Sequence, residues 1–251
     1  MFAVIEHPRH GVVLFDTGYS SRFFEATRPF PERLLRWATP VTLDVGGSAA
    51  SQLAATGIAA EDVAYVVVSH FHGDHVSALG DFPNARFLFL SEGLRRLRTG
   101  SRFSRVRYGY LSGLLPDDFA ARAVALDERP SSRLGRDHAP LPHGFDIFGD
   151  GALIAVPLPG HADGQLGLLA TGNDGRRLFF VADAAWLISS VLDDQAPPRI
   201  SGLVHADRVR YAQTLHQLHL FHLHHPEVGL IPSHCAETVR HWEQATRAEL
   251  R

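Results

Sequence analysis

A continuous apolar run at residues 63–69, which ends directly in a group of polar side chains, restricts the fold more than any other feature. The run is rich in β-branched residues and does not alternate with polar ones, which predicts a strand covered on both faces. The segment that follows it reads His70-Phe71-His72-Gly73-Asp74-His75. His70 and His72 lie two positions apart, so an extended segment points both to one side. We therefore expect a covered sheet with a metal-binding loop at the carboxyl end of one strand.

Three more ligand-type residues repeat this placement in the second half of the chain. His161 follows the apolar run 153–158, Asp183 follows 178–181 and His234 follows 228–231. Each alone fits an ordinary turn residue equally well, but sites in α/β sheets gather where strands end, so the repetition favours a shared site. A metal ion needs about three or four protein ligands and an open position. Two neighbouring ligand sets suit two ions about 3.5–4 Å apart.

The remaining pattern predicts a single layered α/β domain over residues 1–251, with a helical insertion or lid at about 91–145. Hairpins outnumber crossovers, which excludes an alternating Rossmann chain. The expected strands are 2–6, 12–15, 63–69, 87–90, 145–148, 152–157, 167–170, 178–182 and 228–231. The expected helices are a short one within the loop segment 22–38, then 48–56, one starting within 76–79, two near 91–98 and 116–122, and then 207–225 and 236–250.

Composition excludes several kinds of chemistry. All 24 basic residues are arginine, which rules out a Schiff-base lysine or a Walker-type phosphate lysine. A single cysteine, Cys235, cannot form an internal disulfide or a CxxC motif, and we expect it to pack rather than bind metal. The net charge of −3 gives no footprint for nucleic acid. No apolar run is long enough to span a membrane and no targeting segment is evident, so a cytoplasmic location is expected.

The combined motif resembles the metallo-β-lactamase fold hydrolases. It consists of His70-x-His72-x-Asp74-His75 with Gly160-His161, Asp183 and Ser233-His234. The resemblance implies a four-layer αββα sandwich and a site for two divalent metal ions. One ion would take His70, His72 and His161, the other would take Asp74, His75 and His234, and Asp183 would bridge them. Zinc is the expected metal, with iron and manganese as alternatives.

Within that superfamily the chain resembles the N-acyl-homoserine-lactone lactonase branch. Aspartate rather than cysteine at position 183 is similar to the lactonase and glyoxalase II branches. The implied reaction is hydrolysis of a small-molecule ester-like carbonyl, most simply a lactone, by a metal-bridging hydroxide, with Asp74 as the catalytic proton carrier. An acyl thioester hydrolase and a phosphodiesterase are the next alternatives. A redox-iron enzyme and a non-catalytic binding protein are the last.

The substrate pocket is expected to include five residues: Phe71, Tyr108, Tyr110, Trp186 and His205. Trp186 stands where the resembling lactonases have a tyrosine, three residues after the bridging aspartate, and it lacks a hydroxyl. A buried aromatic wall is the alternative for Trp186. Ser69 is expected only to end its strand. An exposed first strand edge would invite a second copy, which predicts a homodimer as an option.

Overall fold

The computed structural model describes residues 1–195 and 205–249. Two compact units make up the chain. Unit one comprises Met1–Arg129 with Ala162–Gly164, and unit two comprises Pro130–His161 with Gln165–Arg251. Each unit contains one sheet with its own helices and its own buried apolar core.

The sheet of unit one has five strands in the order β1-β2-β3-β4-β5. β1 and β2 form an antiparallel hairpin, and β2 to β5 run parallel to one another. The central strands are buried, in agreement with their unalternating apolar sequences. The strands are Ala3–His7 (β1), Gly11–Phe15 (β2), Val63–Val67 (β3), Arg86–Phe89 (β4) and Ala123–Ala125 (β5). The carboxyl ends of β2 and β3 therefore meet at one edge of this sheet.

Seven short helices accompany this sheet. Ser48 begins the third of them, because its hydroxyl accepts a hydrogen bond from the Ser51 N–H. The helices are Arg22–Ala26 (α1), Arg33–Ala38 (α2), Ala49–Ala55 (α3), Gly73–Val76 (α4), Ser91–Thr99 (α5), Arg102–Arg107 (α6) and Phe119–Arg122 (α7). Single 3₁₀ turns cover Ala60–Asp62, Leu79–Asp81, Ser112–Leu114 and Leu126–Glu128.

The sheet of unit two has six strands in the order β11-β10-β9-β8-β7-β6. All neighbours are antiparallel except β10 and β11, which are parallel. The strands are Ser132–Arg133 (β6), His143–Asp146 (β7), Leu153–Pro157 (β8), Leu166–Thr171 (β9), Arg177–Ala182 (β10) and Gly229–Pro232 (β11). Asp183 and the residues after β11 consequently leave the sheet at the same edge.

Three helices and one 3₁₀ turn, Arg136–His138, complete unit two in its described part. The longest helix is capped by Asp207, whose carboxylate accepts from the N–H groups of Val209 and Arg210. The helices are Ile188–Leu192 (α8), Arg208–His224 (α9) and Ala236–Glu249 (α10). Among the residues that the structure describes, no helix combines the length and apolar character that crossing a membrane requires.

The predicted elements are found in the predicted order, with local differences. The helix expected to start within 76–79 begins instead at Gly73, because His72 is still extended and its carbonyl accepts the first helical bonds. The helix expected at 116–122 is confined to Phe119–Arg122, and the segment 22–38 contains two helices, α1 and α2, rather than one. The elements α6, α8, β5 and β6 were not predicted. Residue 250, the predicted end of the last helix, lies outside the described residues. The single domain and the lid at 91–145 stay predictions.

Candidate metal centre

In unit one, the loop after β3 brings two histidines into contact. The His70 Nε2 atom lies 3.0 Å from the His72 Nδ1 atom, and the two ring centroids are 4.4 Å apart. His70 is buried and His72 is half-buried. Their spacing of two in an extended segment predicts this arrangement, because alternate side chains share a side.

The start of α4 adds a carboxylate and a third imidazole to the same cluster. His72 is extended, with φ −75° and ψ 155°, and the helix starts at the next residue, so Asp74 and His75 occupy its first turn. The His75 Nε2 atom lies 3.3 Å from the Asp74 Oδ2 atom, and the His75 ring lies 4.0 Å from that of His70. Four predicted ligands of unit one are thus neighbours.

Asp16, at the end of β2, orients this cluster from behind. Its buried carboxylate accepts the Ser69 N–H at 2.7 Å, the Ser69 hydroxyl at 2.8 Å and the His75 Nδ1–H at 2.7 Å. Because a carboxylate only accepts, His75 carries its proton on Nδ1 and presents the Nε2 lone pair to a ligand. A carboxylate behind a ligating histidine is the usual support of a metal site.

Ser69 transmits the same support to His70. The Ser69 hydroxyl donates to Asp16, so the Ser69 oxygen accepts a hydrogen bond from the His70 Nδ1–H, 3.0 Å away. The Nε2 atom of His70 then carries no proton and can serve as a ligand atom. The sequence indicated a strand end for Ser69, and for Asp16 a strand end that the family resemblance places near the site. The signal for Asp16 was its place in Phe15-Asp16-Thr17-Gly18, directly after an apolar strand. Asp16 adopts a φ of +59°, an uncommon conformation that fits a constrained functional position.

In unit two, three strand ends bring His161, Asp183 and His234 together. The Asp183 Oδ2 atom lies 3.1 Å from the His234 Nε2 atom and 3.4 Å from the His161 Nε2 atom. His161 and Asp183 are buried, whereas the His234 side chain is exposed. Asp183 and His234 meet because β10 and β11 are parallel neighbours that end at the same edge.

The donor atoms of both clusters fit the coordination of a metal ion such as zinc. Two ligand atoms that are each about 2.1 Å from one zinc ion, at a tetrahedral angle, lie about 3.4 Å apart. The closest ligand-to-ligand distances within the two units run from 3.0 to 3.4 Å. Carboxylate and imidazole groups packed this closely are the donors that zinc, iron and manganese bind.

Two predicted pocket residues, Trp186 and His205, lie beside the cluster of unit two. The His205 Nδ1 atom is 3.2 Å from the His161 Nδ1 atom. Trp186 is half-buried, and its ring lies 6.1 Å from that of His161. His205 therefore contacts a predicted ligand directly, which sequence reasoning did not foresee.

Tyr211, on α9, was not singled out from the sequence. Its ring stacks on His205 with centroids 4.0 Å apart. The Tyr211 hydroxyl and the Trp186 indole N–H are both buried, and neither has a hydrogen-bond partner among the described residues. Burial and the negative charge of Asp183 raise the pKa of Tyr211 above its usual range.

The other predicted pocket residues belong to unit one. Tyr110 forms a β-bridge with His72, and its hydroxyl accepts from the Asp163 N–H at 3.1 Å. Burial, followed by the negative charge of Asp163, raises the pKa of Tyr110. Tyr108 lies beneath the guanidinium group of Arg96, which is 4.5 Å from the ring centroid.

Phe71 packs in the core of unit one, with only 1% of its surface exposed. Its ring contacts Phe89 and Phe119 at centroid distances of 5.4 and 6.1 Å. These contacts give Phe71 a packing role, and the pocket role predicted for the five residues stays a prediction. Cys235 is buried and accepts a bond from the Thr238 hydroxyl, which agrees with the packing role expected for it.

Comparison with known sequences identifies a family and several relatives. The family model described as the metallo-beta-lactamase superfamily matches residues 3–222. The chain is 31% identical over 219 residues to an N-acyl homoserine lactonase AttM of Azorhizobium caulinodans, covering 86% of this chain and 76% of that relative. For three further lactonases of the same name, the match covers about 60% of their own length.

Solved structures with the same fold are more distant in sequence. An N-acyl homoserine lactone hydrolase, solved with the product N-hexanoyl-L-homoserine at its catalytic metal centre, has a TM-score of 0.68 and 14% identity, covering 95% of this chain and 82% of that chain. AidC, a dizinc quorum-quenching lactonase in complex with its product, has a TM-score of 0.61 and 16% identity, covering 93% of this chain and 71% of that chain.

Proposed function

The chain belongs to the metallo-β-lactamase superfamily, and on that premise we propose that its two ligand clusters together bind two divalent metal ions in a hydrolase that cleaves an ester-like carbonyl. The αββα fold class and the family predicted from the motif are confirmed by the family match and by the solved structures. The feature that carries the proposal is the complete set of seven ligand-type side chains, four in unit one and three in unit two.

The proposed ligands divide into two sets. One ion would be held by His70, His72 and His161, and the other by Asp74, His75, Asp183 and His234. Asp183 would also serve the first ion, because its Oδ2 atom lies 3.4 Å from the His161 Nε2 atom. The ligand–ligand distances within each unit support this division, as does the support of His75 by Asp16. Zinc is the proposed metal because imidazole and carboxylate donors suit it.

The metal ions and Asp74 would then have separate tasks in hydrolysis. Bound metal ions would polarise the carbonyl and activate water at neutral pH. The half-buried Asp74 carboxylate receives a proton from the attacking water at the oxygen not turned to His75. It passes that proton to the alkoxide oxygen when the acyl carbon–oxygen bond breaks. Water thus adds across the ester bond, and a lactone opens to a hydroxy acid without any other reactant.

A lactone is the proposed substrate class, and an N-acyl homoserine lactone is its first candidate. The support comes from the relatives, several of which are N-acyl homoserine lactonases. Trp186 offers an indole N–H in place of the tyrosine hydroxyl expected from the resemblance, so the chain must hold the lactone differently. An acyl thioester hydrolase is the second candidate, because this donor set serves any activated acyl carbonyl.

A substrate panel tests the proposal on the purified full chain. Acyl homoserine lactones of several chain lengths, aryl esters, acyl thioesters, a γ-lactam and bis-p-nitrophenyl phosphate are compared before and after chelation. We expect the highest kcat/KM on a lactone, loss of activity on chelation and recovery on adding Zn²⁺. Activity that survives complete metal removal contradicts the metal mechanism. A higher kcat/KM on the thioester or the phosphodiester than on any lactone would contradict the proposed lactone substrate and favour that other class.

We also propose a cytoplasmic location, a small-molecule substrate rather than nucleic acid or a membrane as the partner, and a homodimer that pairs through β1. The support for the dimer is that β1 is an edge strand of the unit-one sheet, with Val4 exposed. Light scattering measures the mass of the purified protein, which should be that of two chains. A Val4→Lys variant should have the mass of one chain. A mass equal to one chain in the parent protein contradicts the dimer.

A further inference from the structure

His161 is supported differently from the ligands of unit one. A ligating histidine usually donates its second ring N–H to a carboxylate, a backbone carbonyl or water. His75 follows this rule through Asp16. The Nδ1 atom of His161 instead meets the Nδ1 atom of a second histidine, His205, at 3.2 Å. Because Nε2 of His161 faces Asp183, Nδ1 must carry the proton when Nε2 serves as a ligand atom.

His205 is held in place from several directions. Its ring stacks on Tyr211 with an interplanar angle of 20°, and the Trp186 ring lies 5.5 Å away. Only 6% of its surface is exposed. The backbone on either side of the contact is also joined, since the Ala206 N–H donates to the His161 carbonyl and the Asp207 N–H donates to the Gly160 carbonyl. The imidazole has little freedom to turn away from His161.

We propose that His205 is a positioning residue for the metal ligand His161. Its Nδ1 lone pair accepts the His161 Nδ1–H, which fixes the tautomer and the ring angle at which His161 presents Nε2. In this tautomer His205 carries its own proton on Nε2. This inference rests on the proposed function, because it assigns His205 to a ligand of the proposed metal centre rather than to the substrate.

Two substitutions separate positioning from packing. His205→Phe keeps an aromatic ring that can stack on Tyr211 but removes the acceptor. His205→Asn removes the stacking ring but places an amide oxygen where the Nδ1 acceptor stands. His225→Phe is the matched control, because His225 also packs on an aromatic ring, Phe221, and makes a hydrogen bond to the carbonyl of Ala139, yet contacts no predicted ligand.

The measurements are the number and affinity of bound Zn²⁺ ions per chain, the melting temperature of the metal-free protein, and kcat/KM. We expect H205F to weaken the binding of one Zn²⁺ ion by about 10–100-fold, while the metal-free protein melts within a few degrees of the parent. H205N should restore Zn²⁺ affinity to within about threefold of the parent, although its metal-free form is less stable. H225F should bind two ions as the parent does.

The outcomes distinguish this inference from the proposed function. A parent chain that binds two Zn²⁺ ions, with H205F binding them equally well, overturns the positioning role alone. The same holds if H205N weakens Zn²⁺ binding as much as H205F does, since stacking would then be the only role of His205. A parent chain that binds no divalent metal overturns the metal centre, and the positioning role with it.

Discussion

Among single residues, the candidate site depends on side chains that hydrogen-bond the predicted metal ligands from behind. Asp16 and Ser69 determine the tautomers of His75 and His70 through three short hydrogen bonds to one buried carboxylate. The Asp16 carboxylate lies 59 residues along the chain from His75, whose ring it orients. A conservative change at Asp16 should therefore act on the metal before it acts on the fold.

Replacing Asp16 with asparagine should weaken metal binding. The amide can still accept the Ser69 N–H, but its NH₂ group would face the His75 Nδ1–H, so two donors would oppose each other. We expect Zn²⁺ affinity and kcat/KM to fall by about 10–100-fold. Asp146→Asn is the control, because the Asp146 carboxylate, like that of Asp16, accepts from the backbone, here from the N–H groups of Gly149 and Gly151, but no hydrogen bond joins it to a histidine among the described residues. Parent-like Zn²⁺ binding in D16N would contradict the support assigned to Asp16.

The two buried tyrosines make a matched pair for stability. The Tyr211 hydroxyl has no partner among the described residues, whereas the Tyr110 hydroxyl bonds to Asp163. Urea unfolding of the metal-free protein should show that Tyr211→Phe does not lower the free energy of unfolding. Tyr110→Phe should lower it by about 1 kcal/mol, because it leaves a backbone N–H without its acceptor. Equal losses in both variants would mean that Tyr211 has a partner after all.

At the scale of elements, the turn between β8 and His161 depends on close backbone packing. Gly160 has a φ of +131°, and a Cβ there would lie 2.2 Å from the Tyr211 backbone nitrogen on α9. Gly160→Ala should therefore displace α9 or the His161 turn, with a large loss of stability and of bound metal. Gly175 also has a positive φ, +80°, but open space around it.

Gly175→Ala should accordingly cost only about 1–2 kcal/mol of backbone strain, with Zn²⁺ binding unchanged. Circular dichroism during thermal unfolding, together with the Zn²⁺ content of both variants, provides the comparison. Similar effects of the two substitutions would show that strain, rather than the contact with Tyr211, accounts for the role of Gly160.

Helices α2 and α6 of unit one are linked by an ion pair whose contribution depends on pH. The Arg102 guanidinium hydrogen-bonds the Glu32 carboxylate at 2.6 Å and holds the pKa of Glu32 below its usual value. A carboxyl group whose pKa is lowered on folding stabilises the protein at any pH above the pKa that the group has in the unfolded chain. This stabilisation is lost as the pH falls through the lower pKa of the folded protein. Glu32→Gln should lower the melting temperature at pH 7, and this effect should shrink as the pH falls toward 3.

Glu92→Gln is the control for this pair. Glu92 faces Arg95 at 3.6 Å within one exposed helix, and such pairs contribute little. Melting curves across pH 3–7 should therefore coincide for the parent and E92Q. An effect of E32Q that persists unchanged at pH 3 would show that packing, not charge, is what Glu32 supplies.

For the whole molecule, the proposed metal centre links the free energy of unfolding to bound metal. We expect each Zn²⁺ ion, at 100 times its dissociation constant, to add about 2.7 kcal/mol, or roughly 5–10 °C in melting temperature. Scanning calorimetry should show a higher melting temperature with metal than after chelation. Identical curves for the two forms would contradict the proposed metal centre.

Much of the molecule could be predicted from the sequence because the signals are local. The unalternating run at 63–69 specifies a covered strand, and the spacing of His70 and His72 places both imidazoles on one side. Small misjudgements arose where the signal was weak. The start of α4 at Gly73 depends on the extended conformation of His72, and the three-residue strand β5 has no pattern to detect.

The strand ends, the ligand types and the family of this protein could be inferred from the amino-acid sequence, since each of these depends on a few neighbouring residues. The groups that support the ligands became known only from the folded chain. Asp16 meets His75 across 59 residues, and His205 meets His161 across 44. Such hydrogen bonds leave no periodicity in the chain, because the sheets and helices that bring the partners together are specified by other residues.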